Sequence, residues 1–148
     1  MRRRSFELRN ARPEDHEFLW QLKRQTMRTY VEKTWKRWND AEQKDWFSLH
    51  FIPEAAQIII VDGRPAGRLE VTHDSREMTL RTIEISPEFQ SKGVGAAVIG
   101  SLQIEAKSAS VPLRLQVLKA NPRARQLYER LGFTTTGETA THHLMAWP

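Results

Sequence analysis

Residues 90–96, Gln90-Ser91-Lys92-Gly93-Val94-Gly95-Ala96, have the composition and spacing to hold an anion. An alternating apolar run ending in Glu84-Ile85-Ser86 leads into them, and a long amphipathic segment leads out. A strand that turns through glycines into a helix presents free backbone N–H groups. The helix N-terminus adds about half a positive charge at the same place. A second set lies downstream: Asn121-Pro122-Arg123-Ala124, then Leu127-Tyr128-Glu129-Arg130-Leu131-Gly132-Phe133. Tyr128 supplies a phenol, and Glu84 and His142 are groups able to take a proton. His73 with Asp74, and His142 with His143, lack the spacing of a ligand set, so no metal is expected.

Three phosphate-binding patterns compete for the glycine turn. A P-loop ends in Gly-Lys-Ser/Thr, which is absent. The dinucleotide pattern G-x-G-x-x-G fails at its third glycine, where Val98 stands. The coenzyme A pyrophosphate loop, Q-x-x-G-x-G/A, matches position by position through Gln90, Gly93 and Gly95. With the downstream Asn121-Pro122 and Leu127-Tyr128-x-x-Leu131-Gly132-Phe133, the chain resembles the GNAT superfamily of acetyl-CoA-dependent N-acetyltransferases over nearly its whole length.

That resemblance implies that amides of Ser91, Lys92, Gly93, Val94, Gly95 and Ala96 hold the pyrophosphate of acetyl-CoA. A Cβ at residue 93 or 95 would obstruct the close approach of the backbone. It implies that the pantetheine arm pairs with Ile83-Glu84-Ile85 like an added strand, and that Asn121 reaches the arm. Asn121 can serve as a helix N-cap at the same time. Lys92, Lys119 and Arg123 are candidates for the outer phosphates and equally for plain solvated charges. The implied reaction is attack of a neutral amine on the thioester through a tetrahedral oxyanion, with a backbone N–H near Ile83 as oxyanion donor. Tyr128 resembles the family's general acid at the thiolate. Full transfer from an ordinary phenol to a thiolate runs uphill by about 2 kcal/mol, so hydrogen bonding is the alternative role, and a core aromatic the structural one.

The base stays open between Glu84, on the cofactor strand but of unknown face, and His142, acting directly or through water. Each has a structural alternative. Some relatives that acetylate protein N-termini carry a glutamate where Gln116 stands here, and glutamine cannot accept that proton. The acceptor site is expected from the first two helices and the last hairpin. There Tyr30, Glu32, Trp35 and Trp38 would give an aromatic wall with a carboxylate for a cationic amine, or simply pack a helix.

Positioning these groups requires a mixed sheet. The pattern predicts strands over 5–11, 57–61, 64–72, 77–86 and 113–117, with two more between Phe133 and Trp147. Asp62-Gly63 marks a hairpin. Helices are predicted from Pro13 towards Val31, after Asn39-Asp40 with Gln43 at capping-box spacing from Asp40, over 93–108, and from Asn121 to Gly132. The expectation is a single α/β (α+β) domain over 1–148, with about seven strands flanked by helices in the order β-α-α-β-β-β-α-β-α-β-β.

The 148 residues contain no cysteine, which excludes disulfides and a thiol nucleophile. The net charge of +5 invites a nucleic-acid reading, but the basic residues are spread, densest at Arg2, Arg3 and Arg4, with no accompanying binding motif. A general positive potential that attracts a phosphorylated small molecule is the preferred account. The basic start is followed by no apolar segment, so export and membrane insertion are not expected and the location is read as cytoplasmic. The expected partners are acetyl-CoA and an amine, with a homodimer compatible. The acceptor is expected to be the primary amine of a small molecule. A protein N-terminal or lysine acetyltransferase, a non-catalytic acyl-CoA-binding or sensing module on the same fold, and a nucleic-acid-binding protein are the rival readings.

Overall fold

The computed structural model describes residues 5–148, so the arginines at 2–4 lie outside the described residues. Seven strands form one sheet in the order β1-β2-β3-β4-β5-β7-β6. They are β1 (Glu7–Asn10), β2 (Gln57–Val61), β3 (Arg64–His73), β4 (Met78–Ile85), β5 (Leu113–Leu118), β6 (Thr134–Glu138) and β7 (His142–Trp147). Only β4 and β5 run parallel, and every other neighbouring pair is antiparallel. Among the described residues four α-helices complete the fold: α1 (His16–Trp35), α2 (Asp40–His50), α3 (Val94–Ser108) and α4 (Pro122–Arg130). The chain order is the one predicted. Among the described residues no helix is long and apolar enough to cross a membrane.

Local chemistry accounts for most boundaries. Asp62 and Gly63 both have positive φ, 52° and 76°, the conformation a tight hairpin turn needs between right-twisted strands. Asn121 Oδ1 accepts from the Ala124 N–H (3.2 Å) and Pro122 occupies the first turn, which starts α4. Gly132, at φ 97°, ends it, and the Phe133 N–H returns to the Tyr128 carbonyl (3.0 Å). Two expectations need correction. Helix α1 runs past Val31 to Trp35, where Lys36 at φ 65° closes it. Asn39, not Asp40, caps α2, its Oδ1 accepting from the Glu42 N–H (3.0 Å), so Gln43 is one position too late for a capping box.

Two apolar clusters hold the molecule together. The larger joins α3, through Val98, Ile99 and Leu102, to Leu69, Met78, Leu113, Leu115 and Val117 of the sheet and to Tyr128 and Phe133. The smaller lies under α1 and α2, around Leu19, Trp20, Leu22, Phe47 and Ile58.

The feature that positions the site is a split between β4 and β5. Their pairing covers Met78–Leu80 against Leu113–Leu115 and stops there. At that point the β3–β4 register passes from Val71↔Leu80 to Glu70↔Thr82, leaving Arg81 as an extra residue in β4. Such a bulge bends a strand and resets which face its side chains point to. Met78, Leu80, Ile83 and Ile85 therefore all pack with the larger core. Thr82 and Glu84 turn to the other face, in register with Glu70 and Arg68. A Cβ on Gly67 would lie 2.3 Å from the Glu84 carbonyl oxygen, so only glycine lets β3 press this closely on β4.

Candidate active site

At the end of β4 the chain makes a short turn, Pro87–Phe89, and enters α3 through residues 90–93. Ser91 (φ 60°) and Gly93 (φ 81°) are both left-handed, which aims successive amides into a common concavity. Among the described residues, the N–H groups of Ser91, Lys92 and Gly93 donate to no carbonyl. Those of Val94, Gly95 and Ala96 are the first three of α3, with no helical carbonyl behind them. The loop is pinned at its base by Gln90 Nε2 donating to the Ile85 carbonyl (2.8 Å) and at its side by Arg123 donating to Ser91 Oγ (2.6 Å). A Cβ at Gly93 would meet nothing within 4 Å, and one at Gly95 only Leu127, at 3.9 Å. The space above the loop is thus open, and its amides are ready for an anion.

This loop borders a cavity of about 480 Å³ along Ile83–Ile85, α3 and α4. A second cavity, of about 540 Å³, opens on the side of α1, α2 and β7. Both are lined by Met27, Ile83, Glu84, Asn121, Ala124 and Tyr128, so they meet in the β4–β5 split. Strand β4 has no partner there on its β5 side beyond Leu80, and can pair with an extended ligand arm.

Two ionisable groups stand at the junction. Glu84 is buried and its Oε1 has no hydrogen-bond partner among the described residues. Burial pushes its carboxyl up to about 7, although Arg68 and Lys23 pull the other way. Tyr128 is buried against Phe133 (ring centroids 5.7 Å), and burial pushes its phenol up to about 12. Transfer of that proton to a thiolate of ordinary pKa near 8.5 is uphill by about 5 kcal/mol, so Tyr128 is suited to donate a hydrogen bond while keeping its proton.

The second cavity has aromatic walls from Trp35, Trp46, Phe47 and Phe51 and a charged floor of Lys23, Arg68, Glu70 and Glu84. Arg68 pairs with Glu70 (2.5 Å), whose other oxygen accepts from Thr82 Oγ1 (3.1 Å). His142 lines the cavity with its Nδ1 2.7 Å from Thr141 Oγ1, and burial lowers its pKa. Gln116 also lines it.

The model of the acetyltransferase (GNAT) family matches residues 8–133. The chain belongs to the GNAT acetyltransferase family. Solved structures agree in fold. A PaiA N-acetyltransferase from Thermoplasma acidophilum, solved in complex with coenzyme A, superposes with a TM-score of 0.76 at 17% identity, covering 96% of this chain and 98% of that one. An acetyltransferase from Thermus thermophilus gives 0.74 at 18% identity, covering 100% and 99%. The ribosomal-protein-S18-alanine N-acetyltransferase from Escherichia coli gives 0.67 at 22% identity, covering 97% and 94%. This GNAT protein is therefore an acyltransferase whose acetyl donor is acetyl-CoA, and the unpartnered amides over open space fit that donor's pyrophosphate.

The structure distributes the other sequence-predicted positions unevenly. Ile83, Glu84, Ile85, Ser91, Gly93, Val94, Gly95, Ala96, Asn121 and Tyr128 all line the loop-side cavity. Lys92 does not; its Nζ stands 6.0 Å from the Phe89 ring centroid. Lys119 is paired with Glu138 (3.2 Å), and the cations that line the loop-side cavity are Arg123 and Arg130. The proposed aromatic acceptor cluster does not exist as one group. Tyr30 lines the loop-side cavity and Trp35 the other. Glu32 pairs with Arg28 (2.8 Å), and Trp38 stacks on Trp20 (6.2 Å) with its Nε1 donating to Asp40. Helical spacing put these four close in sequence, but α1 ends between Trp35 and Trp38. What sequence reasoning missed were Lys23, Arg68, Glu70, Trp46 and Phe47. The Arg68-x-Glu70 alternation was a usable signal, since it places two charges on one face of a predicted strand.

Proposed function

We propose that this GNAT enzyme transfers the acetyl group of acetyl-CoA directly to the primary amine of a small molecule in the cytoplasm. One observation carries the reading: two cavities on opposite sides of the β4–β5 split share Glu84 and Tyr128 at their junction. The loop amides of residues 91–96, with Arg123, hold the phosphates, and the open side of Ile83–Ile85 holds the arm. Bound acetyl-CoA supplies an activated acetyl thioester.

Glu84 is the base. It stands at the junction, whereas His142 lines the acceptor cavity alone. A carboxyl near 7 is ionised often enough at neutral pH to take a proton and basic enough to hold it. An acceptor that binds as its ammonium gives one proton to Glu84, and the neutral nitrogen then forms the C–N bond. The second proton it sheds on becoming an amide goes to the departing sulfur. The C–S bond breaks with its electron pair on sulfur, where the Tyr128 hydroxyl donates a hydrogen bond. Aromatic walls and the carboxylates of the second cavity favour an amine in its cationic form.

A peptide N-terminus is the second reading. A further cavity of about 530 Å³ shares Arg81, Leu115 and Gln116 with the acceptor cavity and extends to Asp74 and Glu77, giving room for a longer acceptor. The E. coli neighbour is named for an alanine of a ribosomal protein. The deciding experiment incubates the purified protein with acetyl-CoA and a panel of small amines and free-N-terminus peptides. Thiol release is followed, and products are identified by mass spectrometry. Small-amine products confirm the main reading and peptide products replace it. Coenzyme A binding without acetyl transfer to any of them would leave a binding module instead.

A further inference from the structure

Lys23 is a lysine in an unusual place. It projects from the middle of α1 into the acceptor cavity, where it is half-buried and its pKa is lowered by that burial. Its Nζ lies 4.7 Å from the Trp46 ring centroid and 5.7 Å from that of Phe47. Among the described residues it makes no ion pair within 4.0 Å. Glu84 acts on it only at longer range. Of the two arginines that also line the cavity, Arg68 already has a carboxylate in Glu70, and Arg81 is exposed with its Nε donating to Thr72 Oγ1 (3.3 Å). Lys23 therefore holds a positive charge with no close counter-ion among the described residues, beside the base, in a site that must receive an amine. Withdrawing an ammonium from water without a close counter-ion is costly, and contact with two aromatic faces offsets only part of that cost.

An acceptor bearing a second cation would meet this charge as repulsion. An acceptor bearing an anion would supply the close counter-ion that Lys23 lacks. Its amine would face Glu84, whose Oε1 has no partner among the described residues, and its acid would face the Lys23 ammonium. The aromatic walls at Trp46 and Phe47 would then cover an apolar body. We infer that the acceptor is an amino acid-type molecule, carrying a carboxylate as well as its amine, and that Lys23 is the residue selecting for the carboxylate. This rests on the acetyl-transfer reading above and specifies its substrate class.

The charge balance of the cavity floor points the same way. Arg68 and Glu70 cancel one another, and Thr82 engages the remaining Glu70 oxygen. When Glu84 is ionised, Lys23 balances it, and a zwitterion adds no net charge. A polyamine would add at least two positive charges to a floor with one free carboxylate.

The test measures kcat/KM with acetyl-CoA for α- and ω-amino acids, each beside its carboxamide and its decarboxylated amine, and for spermidine. Wild-type enzyme should prefer the free acid over its amide by about 10- to 100-fold, the value of a charge-assisted hydrogen bond. Lys23→Met should erase that ratio and Lys23→Arg should restore most of it. The ratio within one variant cancels any effect of the substitution on Glu84 itself. Equal use of acid and amide by wild type, preference for spermidine, or a ratio that survives Lys23→Met would overturn the inference while leaving acetyl transfer standing. Acetylation of no amine in the panel would overturn both.

Discussion

At the glycine turn the proposed phosphate donors are main-chain amides of residues 91–96, consecutive in sequence and held by two left-handed residues and a helix start. Across the β4–β5 split, the acceptor cavity draws its polar residues from α1, α2, β3, β4, β5, α4 and β7, elements far apart in the chain. The first half is fixed by backbone geometry, which depends on a few glycines and a helix boundary. The second depends on which side chain each element turns inward, and so on the bulge at Arg81 and the ends of α1. One half can bind the same phosphates while the other is altered residue by residue. Such an arrangement lets a fold keep its donor and change its acceptor.

If the two halves are separable, Glu84→Gln should strike the chemistry alone. Loss of a general base costs about 100-fold or more in kcat, with the affinity for coenzyme A unchanged by calorimetry. In wild type, kcat/KM should rise with pH through about 7 as Glu84 loses its proton, and the variant should lack that limb. Stability gives an independent check. The folded carboxyl near 7 lies above its ordinary 4.5, so folding favours the protonated form. Its contribution is full below about pH 4.5 and lost as pH rises to 7, by about 3 kcal/mol in total. Thermal melts of Glu84→Gln should be flatter than wild type over that interval. A wild-type activity limb that persists in the variant would move the base to His142.

Gly93→Val tests the backbone half. A β-branched residue at φ 81° is strained by about 2 kcal/mol even though nothing blocks its Cβ. Coenzyme A affinity should fall by about 30-fold while circular dichroism shows the fold retained. Gly95→Ala is the partner experiment. Its Cβ meets only Leu127, at 3.9 Å, so stability should hold and any lost affinity comes from the ligand's space. Tight binding by both variants would remove the loop from the cofactor site.

The smallest expected effect belongs to Tyr128→Phe, because its phenol, pushed up to about 12, holds a hydrogen bond rather than surrendering a proton. A loss of about tenfold in kcat fits a single hydrogen bond to a charged leaving atom. A much larger loss, together with a new alkaline limb in the pH profile, would make it a true acid. No loss at all would leave Tyr128 a core aromatic packed on Phe133, with no part in the reaction.

Periodicity and turn chemistry were enough to place every strand and helix in order. Hairpin turns, caps and helix stops are decided by neighbours in the chain: Asp62-Gly63, Asn121-Pro122 and Gly132 each act within a few residues. The glycine turn into α3 was legible for the same reason. The acceptor side was not. Trp35 and Trp38 look equivalent at three-residue spacing, but Lys36 ends α1 between them, sending one to the cavity and the other onto Trp20. Glu84 looked equally able to face either side of the sheet, because alternation in β4 is broken at Arg81, and only pairing with β3 reveals the extra residue.

By itself, then, the sequence determined the family, the fold and the donor, since local backbone conformation encodes all three. The tertiary structure alone decided the face of Glu84, its burial and raised pKa, and the meeting of Lys23 with it across α1 and β4. Those depend on strand register and on desolvation by distant segments, quantities that exist only once the chain has closed around them.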